Sequence, residues 1–92
     1  MSDKFNQLVS QAKEKAVNGA KLTQCERIAL ELDHAQRSGR TVECFYFPME
    51  MGILQYNARI KRLRDKYDAP IRNMVQWVDG QKHGEFWLEG GE

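Results

Sequence analysis

The chain has 92 residues, 41% hydrophobic and 29% charged, with a formal net charge of +1, which fits one globular domain with a single core and excludes a disordered chain. No apolar run approaches the ~20 residues that cross a bilayer, and the polar start M-S-D-K-F-N-Q-L has no signal-peptide h-region, so a cytoplasmic protein without membrane contact is expected. A charge of +1 is too small to mark the whole chain as a nucleic-acid binder, so the distribution of charge decides more than its sum.

Ser2 and Asp3 are good N-cap residues. Phe5, Leu8, Val9, Ala12 and Ala16 then keep helical spacing up to Asn18-Gly19, which predicts a helix over residues 4–17. Its apolar side is thin and needs a cover: either the body of its own domain or the same helix in a second copy. An arm over residues 1–21 that pairs two chains into a homodimer is the favoured expectation. Leu22-Thr23-Gln24-Cys25-Glu26 predicts the next start, because Thr23 and Glu26 can form a capping box. Cys25, Ile28, Ala29, Leu32 and Ala35 then form a buried stripe, Glu31, Asp33 and Arg37 stay in water, and Ser38-Gly39 ends the helix. Cys25 and Cys44 are expected reduced, as small apolar groups in or near the core. His34 has no ligand-spaced neighbour and is expected at the surface.

The β-formers from Thr41 to Phe47 predict a first strand, and Pro48-Met49-Glu50-Met51 one short turn of helix that ends at Gly52. A longer helix over residues 54–67 follows. Ile53, Tyr56, Ile60, Leu63 and Tyr67 line its buried side; Gln55, Ala58, Lys61, Arg62 and Asp65 fall opposite, with Asn57, Arg59, Arg64 and Lys66 on the flanks. From Leu54 to Arg72 the local charge is +4, leaving −3 for the rest of the chain. Such a face can neutralise phosphates and offer bidentate donors to base edges, although a solvated helix surface carries the same residue types. Short helix, glycine turn and amphipathic helix, in that order, is a helix-turn-helix pattern.

Ala69-Pro70 ends this helix. Residues 71–78 and 83–88 alternate as two strands that pair. Asp79-Gly80-Gln81-Lys82-His83-Gly84 is expected as the hairpin loop, with Lys82 at its tip beside a duplex and His83 an ordinary polar residue. Trp77, Phe86, Trp87 and Leu88 are expected in strand packing, and residues 89–92 as a flexible tail. The fold class expected is α+β, mostly helical: a winged helix-turn-helix unit over residues 22–88, with a C-terminal β-hairpin wing and an extra N-terminal helix.

The run L-T-Q-C-E-R-I-A-L-E-L from Leu22 to Leu32, and G-I-x-x-x-x-A-R-I-x-x-L-R-x-x-Y-x-x-P-I from Gly52 to Ile71, resemble the small winged helix-turn-helix proteins of bacteriophages and prophages. Ala58-Arg59-Ile60, Leu63-Arg64, Tyr67 and Pro70-Ile71 carry the most specific part. Two features depart from that pattern: an apolar segment at residues 40–47, longer than the usual link between the first two helices of the motif, and the N-terminal helix. The resemblance implies binding to double-stranded DNA, in transcription regulation or another phage DNA transaction. Helix geometry then assigns Gln55, Asn57, Arg59, Lys61 and Arg62 to the major groove, and Arg64, Lys66, Arg72 and Lys82 to phosphates or neighbouring grooves.

The alternative expectation is a protein-interaction module on the same scaffold, a phage-encoded modulator of a host protein partner. Near-neutral charge and exposed Met49, Met51 and Met74 would suit it. Catalysis is not expected, since no nucleophile–base set, paired carboxylates or phosphate loop can be made out, and neither a cofactor nor a metal is implied.

Overall fold

The computed structural model describes residues 3–89; Ser2 and residues 90–92 of the tail lie outside them. In chain order the elements are α1 (Asp3–Val17), α2 (Gln24–Arg37), β1 (Val42–Glu43), α3 (Tyr46–Met49), α4 (Tyr56–Tyr67), β2 (Ile71–Val78) and β3 (Gln81–Leu88). The strands form one antiparallel sheet in the order β1-β3-β2. The fold is a helix-rich α+β arrangement.

The start of α2 follows from its local chemistry. The Thr23 hydroxyl accepts from the Glu26 N–H at 3.1 Å, and the Glu26 carboxylate accepts from the Thr23 N–H at 2.8 Å, so two of the donors a helix start leaves unpaired are satisfied. Ile28, Ala29, Leu32 and Ala35 are fully buried, while Cys25 is only half-buried. The apolar stripe of α1 (Phe5, Leu8, Val9 and Ala12) lies buried within the chain's own core, the first of the two covers its sequence left open and not the favoured pairing arm; Ala16 is exposed. Two ion pairs fasten α1 to α2: Lys13 to Asp33 at 3.2 Å and Lys15 to Glu26 at 2.8 Å. Asp33 is therefore buried rather than in water, and Arg37 one turn on holds the same carboxylate oxygen at 3.0 Å.

The segment expected as one long strand divides. Only Val42–Glu43 pairs in the sheet, and the chain then coils into α3, two residues earlier than the proline suggested. Tertiary packing overrides β-propensity here. Phe47 is fully buried, stacked on Tyr56 of α4 at 5.3 Å between ring centroids and edge-on to Phe86 of β3 at 5.8 Å. The helical turn brings Phe47 between α4 and the sheet, where its ring meets both. Pro48 sits within the first turn, where a missing N–H removes no ladder bond. Met51 is half-buried against the core rather than exposed.

α4 begins two residues later than expected, with Gln55 at its N-cap position. Ile53, Ile60 and Leu63 are buried, with Tyr56 and Tyr67 packed against the same cluster. The helix stops at Asp68, a non-glycine residue in the left-handed conformation at φ 52, with its N–H and that of Ala69 both directed to the Leu63 carbonyl. The helix ends at Tyr67 as expected, and the chain reverses at Asp68, just ahead of the Ala69-Pro70 pair expected to cause the stop.

The hairpin is tighter than its glycines suggested. Asp79 and Gly80, at φ 52 and 78, form a two-residue turn with positive φ at both positions, the geometry that matches strand twist. Lys82 and His83 consequently lie on β3, opposite Trp77 and Gln76 in register, and not at a loop tip. Gly84 is needed for space: a Cβ there would meet the Cys44 sulfur at 3.3 Å. Only Ile71 of β2 is buried, and the inner half of β3 is anchored by Phe86 and Leu88. Trp77, expected to pack, is 71% exposed, because the hairpin outruns the core that would have covered it.

Candidate nucleic-acid interface

α4 turns its apolar stripe inward, which leaves Asn57, Ala58, Lys61, Arg62 and Asp65 in water. Among the described residues, Lys61 and Arg62 make neither a hydrogen bond nor an ion pair, so their charges are available to an outside partner. Gln55, one residue ahead of the helix, is exposed and its side chain makes no capping bond. Asn57 is exposed at the second position of the helix. Burial pushes the Tyr56 phenol above its ordinary pKa, with the neighbouring Cys44 acting in the same direction.

The flanking arginines are occupied within the chain. Arg59 is half-buried and its Nε donates to Gln24 Oε1 at 3.1 Å, which ties α4 to the start of α2. Arg64 turns towards the sheet: Nε and Nη2 donate to the Ile71 carbonyl at 3.1 and 2.9 Å, and Nη2 also reaches Asn73 Oδ1 at 3.2 Å. It holds the chain reversal between α4 and β2 closed and presents little of itself to a phosphate. Arg72 pairs with Glu89 at the far end of β3, Nε to Oε2 at 2.6 Å, on the solvent side of the sheet. Lys66 lies over the Tyr67 ring, 5.5 Å from its centroid.

Two groups of the sequence-predicted residues are brought together. Arg59 and Arg62 line a groove of about 310 Å³ with Thr23, Gln24, Cys25 and Tyr67, so two guanidinium groups meet the positive end of the α2 dipole. Asn57 and Lys82 line a smaller recess, about 100 Å³, where the hairpin comes back over the start of α4. Arg64 and Arg72 belong to neither. Gln24 and Asn73, which orient Arg59 and Arg64, were missed by the sequence reading. The capping box at Thr23 placed a helix start, but its position beside α4 depends on how the two helices pack.

Elsewhere the ionisable groups serve the scaffold. The Lys15 ammonium, with the Thr23 N–H, holds the Glu26 carboxyl below its ordinary range. A hydrogen bond to Glu31 raises the Tyr46 phenol. No group of three or more His, Cys, Asp or Glu residues among those described could hold a metal ion, and no described helix is long and apolar enough to cross a membrane. Compared with known proteins, the chain matches no family model, no curated protein and no solved structure.

Proposed function

We propose that this chain binds double-stranded DNA sequence-specifically as a winged helix-turn-helix protein, serving a phage or prophage as a transcription regulator or an accessory factor in a DNA transaction. α2, β1, α3, α4 and the hairpin follow one another in the order that the motif requires, and the recess that Asn57 shares with Lys82 supports reading the hairpin as a wing. The observation that carries the reading is the pair Lys61 and Arg62: exposed, cationic and unpaired in the middle of the helix that would enter the major groove.

In this reading Asn57, Lys61 and Arg62 face the groove, Gln55 reaches it from the turn before the helix, and Arg59, with the start of α2, approaches a flanking phosphate. Lys82 meets the backbone from the wing. Arg64 and Arg72 support the frame that presents these groups. A bidentate Arg62–guanine contact would contribute roughly 1–3 kcal/mol of discrimination against the wrong base.

Selection from a random duplex library, followed by anisotropy titration of the enriched sequence, tests the proposal. Enrichment of one motif, with affinity that falls steeply as salt rises, is the expected result. Equal and salt-independent weak binding to every duplex would remove it.

A second reading, docking of a host protein, is favoured by one feature. Met49 and Leu54, 78% and 79% exposed, flank the turn that leads into α4. Recovery of a stoichiometric protein partner that survives nuclease treatment and is lost on Leu54→Ser would support it.

A further inference from the structure

Half of the large apolar side chains that the described residues leave exposed lie in one strand. Met74, Val75 and Val78 of β2 are 45–47% exposed and Trp77 is 71% exposed. β2 is also the edge of the sheet, paired on one side with β3 and, among the described residues, with no strand on the other. Natural edge strands are normally protected by lysine, proline, a bulge or a covering element, because their unpaired N–H and C=O groups invite another strand. Asn73-Met74-Val75-Gln76-Trp77-Val78 carries no charge and no proline, and is rich in β-formers.

The hairpin register says which groups are open. Val78 and Gln81 flank the two-residue turn and so form a hydrogen-bonded pair. By alternation Gln76, Met74 and Arg72 also bond to β3, and Asn73, Val75 and Trp77 turn their N–H and C=O to the free edge. Ile71 belongs to the open set, and its carbonyl accepts from Arg64, as an outward-facing acceptor should. Arg64 thus closes the inner end of the edge and leaves three residues unpaired.

We propose that this edge pairs antiparallel with the same edge of a second copy, joining two three-stranded sheets into one of six strands. A two-fold axis through Val75 matches Val75 with Val75, Asn73 with Trp77 and Trp77 with Asn73, so every open group meets an open group, and Trp77 is covered by the other copy. The same register carries Asp79 of each copy to the Ile71-Arg72 end of the other, where Arg64 and Arg72 stand. Glu89 already neutralises Arg72, so the charge complementary to Asp79 is that of Arg64, whose hydrogen-bond partners are neutral oxygens. α1 has no apolar stripe left to offer a second copy, whereas β2 has both an open ladder and an apolar surface.

Sedimentation equilibrium of the full chain without DNA tests this independently of any DNA reading. The wild type is expected at twice the 10.7 kDa of one chain. Val75→Pro removes an outward N–H and leaves the bonds to β3 in place, and should give the one-chain mass. Val75→Lys keeps every backbone donor and serves as a second, conformationally mild variant with the same expected mass, its fold checked by far-UV circular dichroism. A one-chain mass for the wild type at its highest soluble concentration would overturn the proposal, as would a dimer that persists in folded Val75→Lys.

Discussion

α4 and β2 are consecutive in the chain and both leave a long side uncovered, yet what they expose differs in kind. α4 presents Asn57, Lys61 and Arg62, polar or charged groups that water satisfies. β2 presents Met74, Val75, Trp77 and Val78 above an unpaired ladder, which water satisfies poorly. A charged helix face can stand alone indefinitely and respond to a polyanion when one arrives. An uncharged edge strand is solvated by water but offers its open N–H and C=O groups to another backbone. The two proposals rest on different surfaces, and a substitution in one should leave the other intact.

The largest effect is expected where the two regions share one support. Phe47 packs against both Tyr56 of α4 and Phe86 of β3, and Phe47→Ala should cost about 3–5 kcal/mol, enough to unfold a small domain at moderate urea. Urea denaturation followed by tryptophan fluorescence measures it; a loss below about 1 kcal/mol would mean that helix and hairpin are held together elsewhere.

Next comes a contrast within α4 itself. Arg64→Ala leaves the Ile71 carbonyl without its donor and should cost about 1.5–3 kcal/mol, whereas Arg62→Ala should change stability by less than about 0.5 kcal/mol while weakening duplex binding. Parallel urea melts and anisotropy titrations separate the two; equal stability losses would erase the distinction between frame and reading surface. Gly84→Val, which drives a branched side chain against the Cys44 sulfur, should cost about 1–3 kcal/mol in the same melts.

The smallest expected effect depends on pH. The Glu26 carboxyl has its pKa lowered by Lys15 and the Thr23 N–H, so the folded chain gives up this proton more readily than the unfolded one. Its contribution is complete above the unfolded carboxylate value of about 4.3 and is lost as pH falls through the lower, folded value. Thermal melts in mild acid and near neutrality should show a wild-type loss that is smaller in Glu26→Gln; equal acid sensitivity in both would place the titrating group elsewhere.

Features set by neighbours in the chain were legible in the sequence. Thr23 and Glu26 lie three residues apart and marked a helix start, Ile53, Ile60 and Leu63 marked the inner side of α4, and Asp79-Gly80 marked where the hairpin begins to turn, although the loop expected there is four residues too long. Features set by what a segment meets across the fold were not. Tyr46 and Phe47 read as strand because their β-propensity is high, but the aromatic cluster required a helical turn. Asp33 read as solvated because the lysine that buries it comes from another helix. Arg64 and Arg62 have the same side chain on the same helix. Only the early chain reversal at Asp68, which carries Ile71 back to α4, separates the arginine that holds the frame from the one left free.

The most direct test of the central claim is the salt dependence of duplex affinity for the wild type beside the Lys61→Ala/Arg62→Ala double variant, both folded. If these two cations neutralise phosphates, the slope of log affinity against log salt should be shallower by about 1.8 in the variant, and low-salt affinity should fall with it. An unchanged slope and affinity would contradict the account and leave the free face of α4 a solvated helix surface.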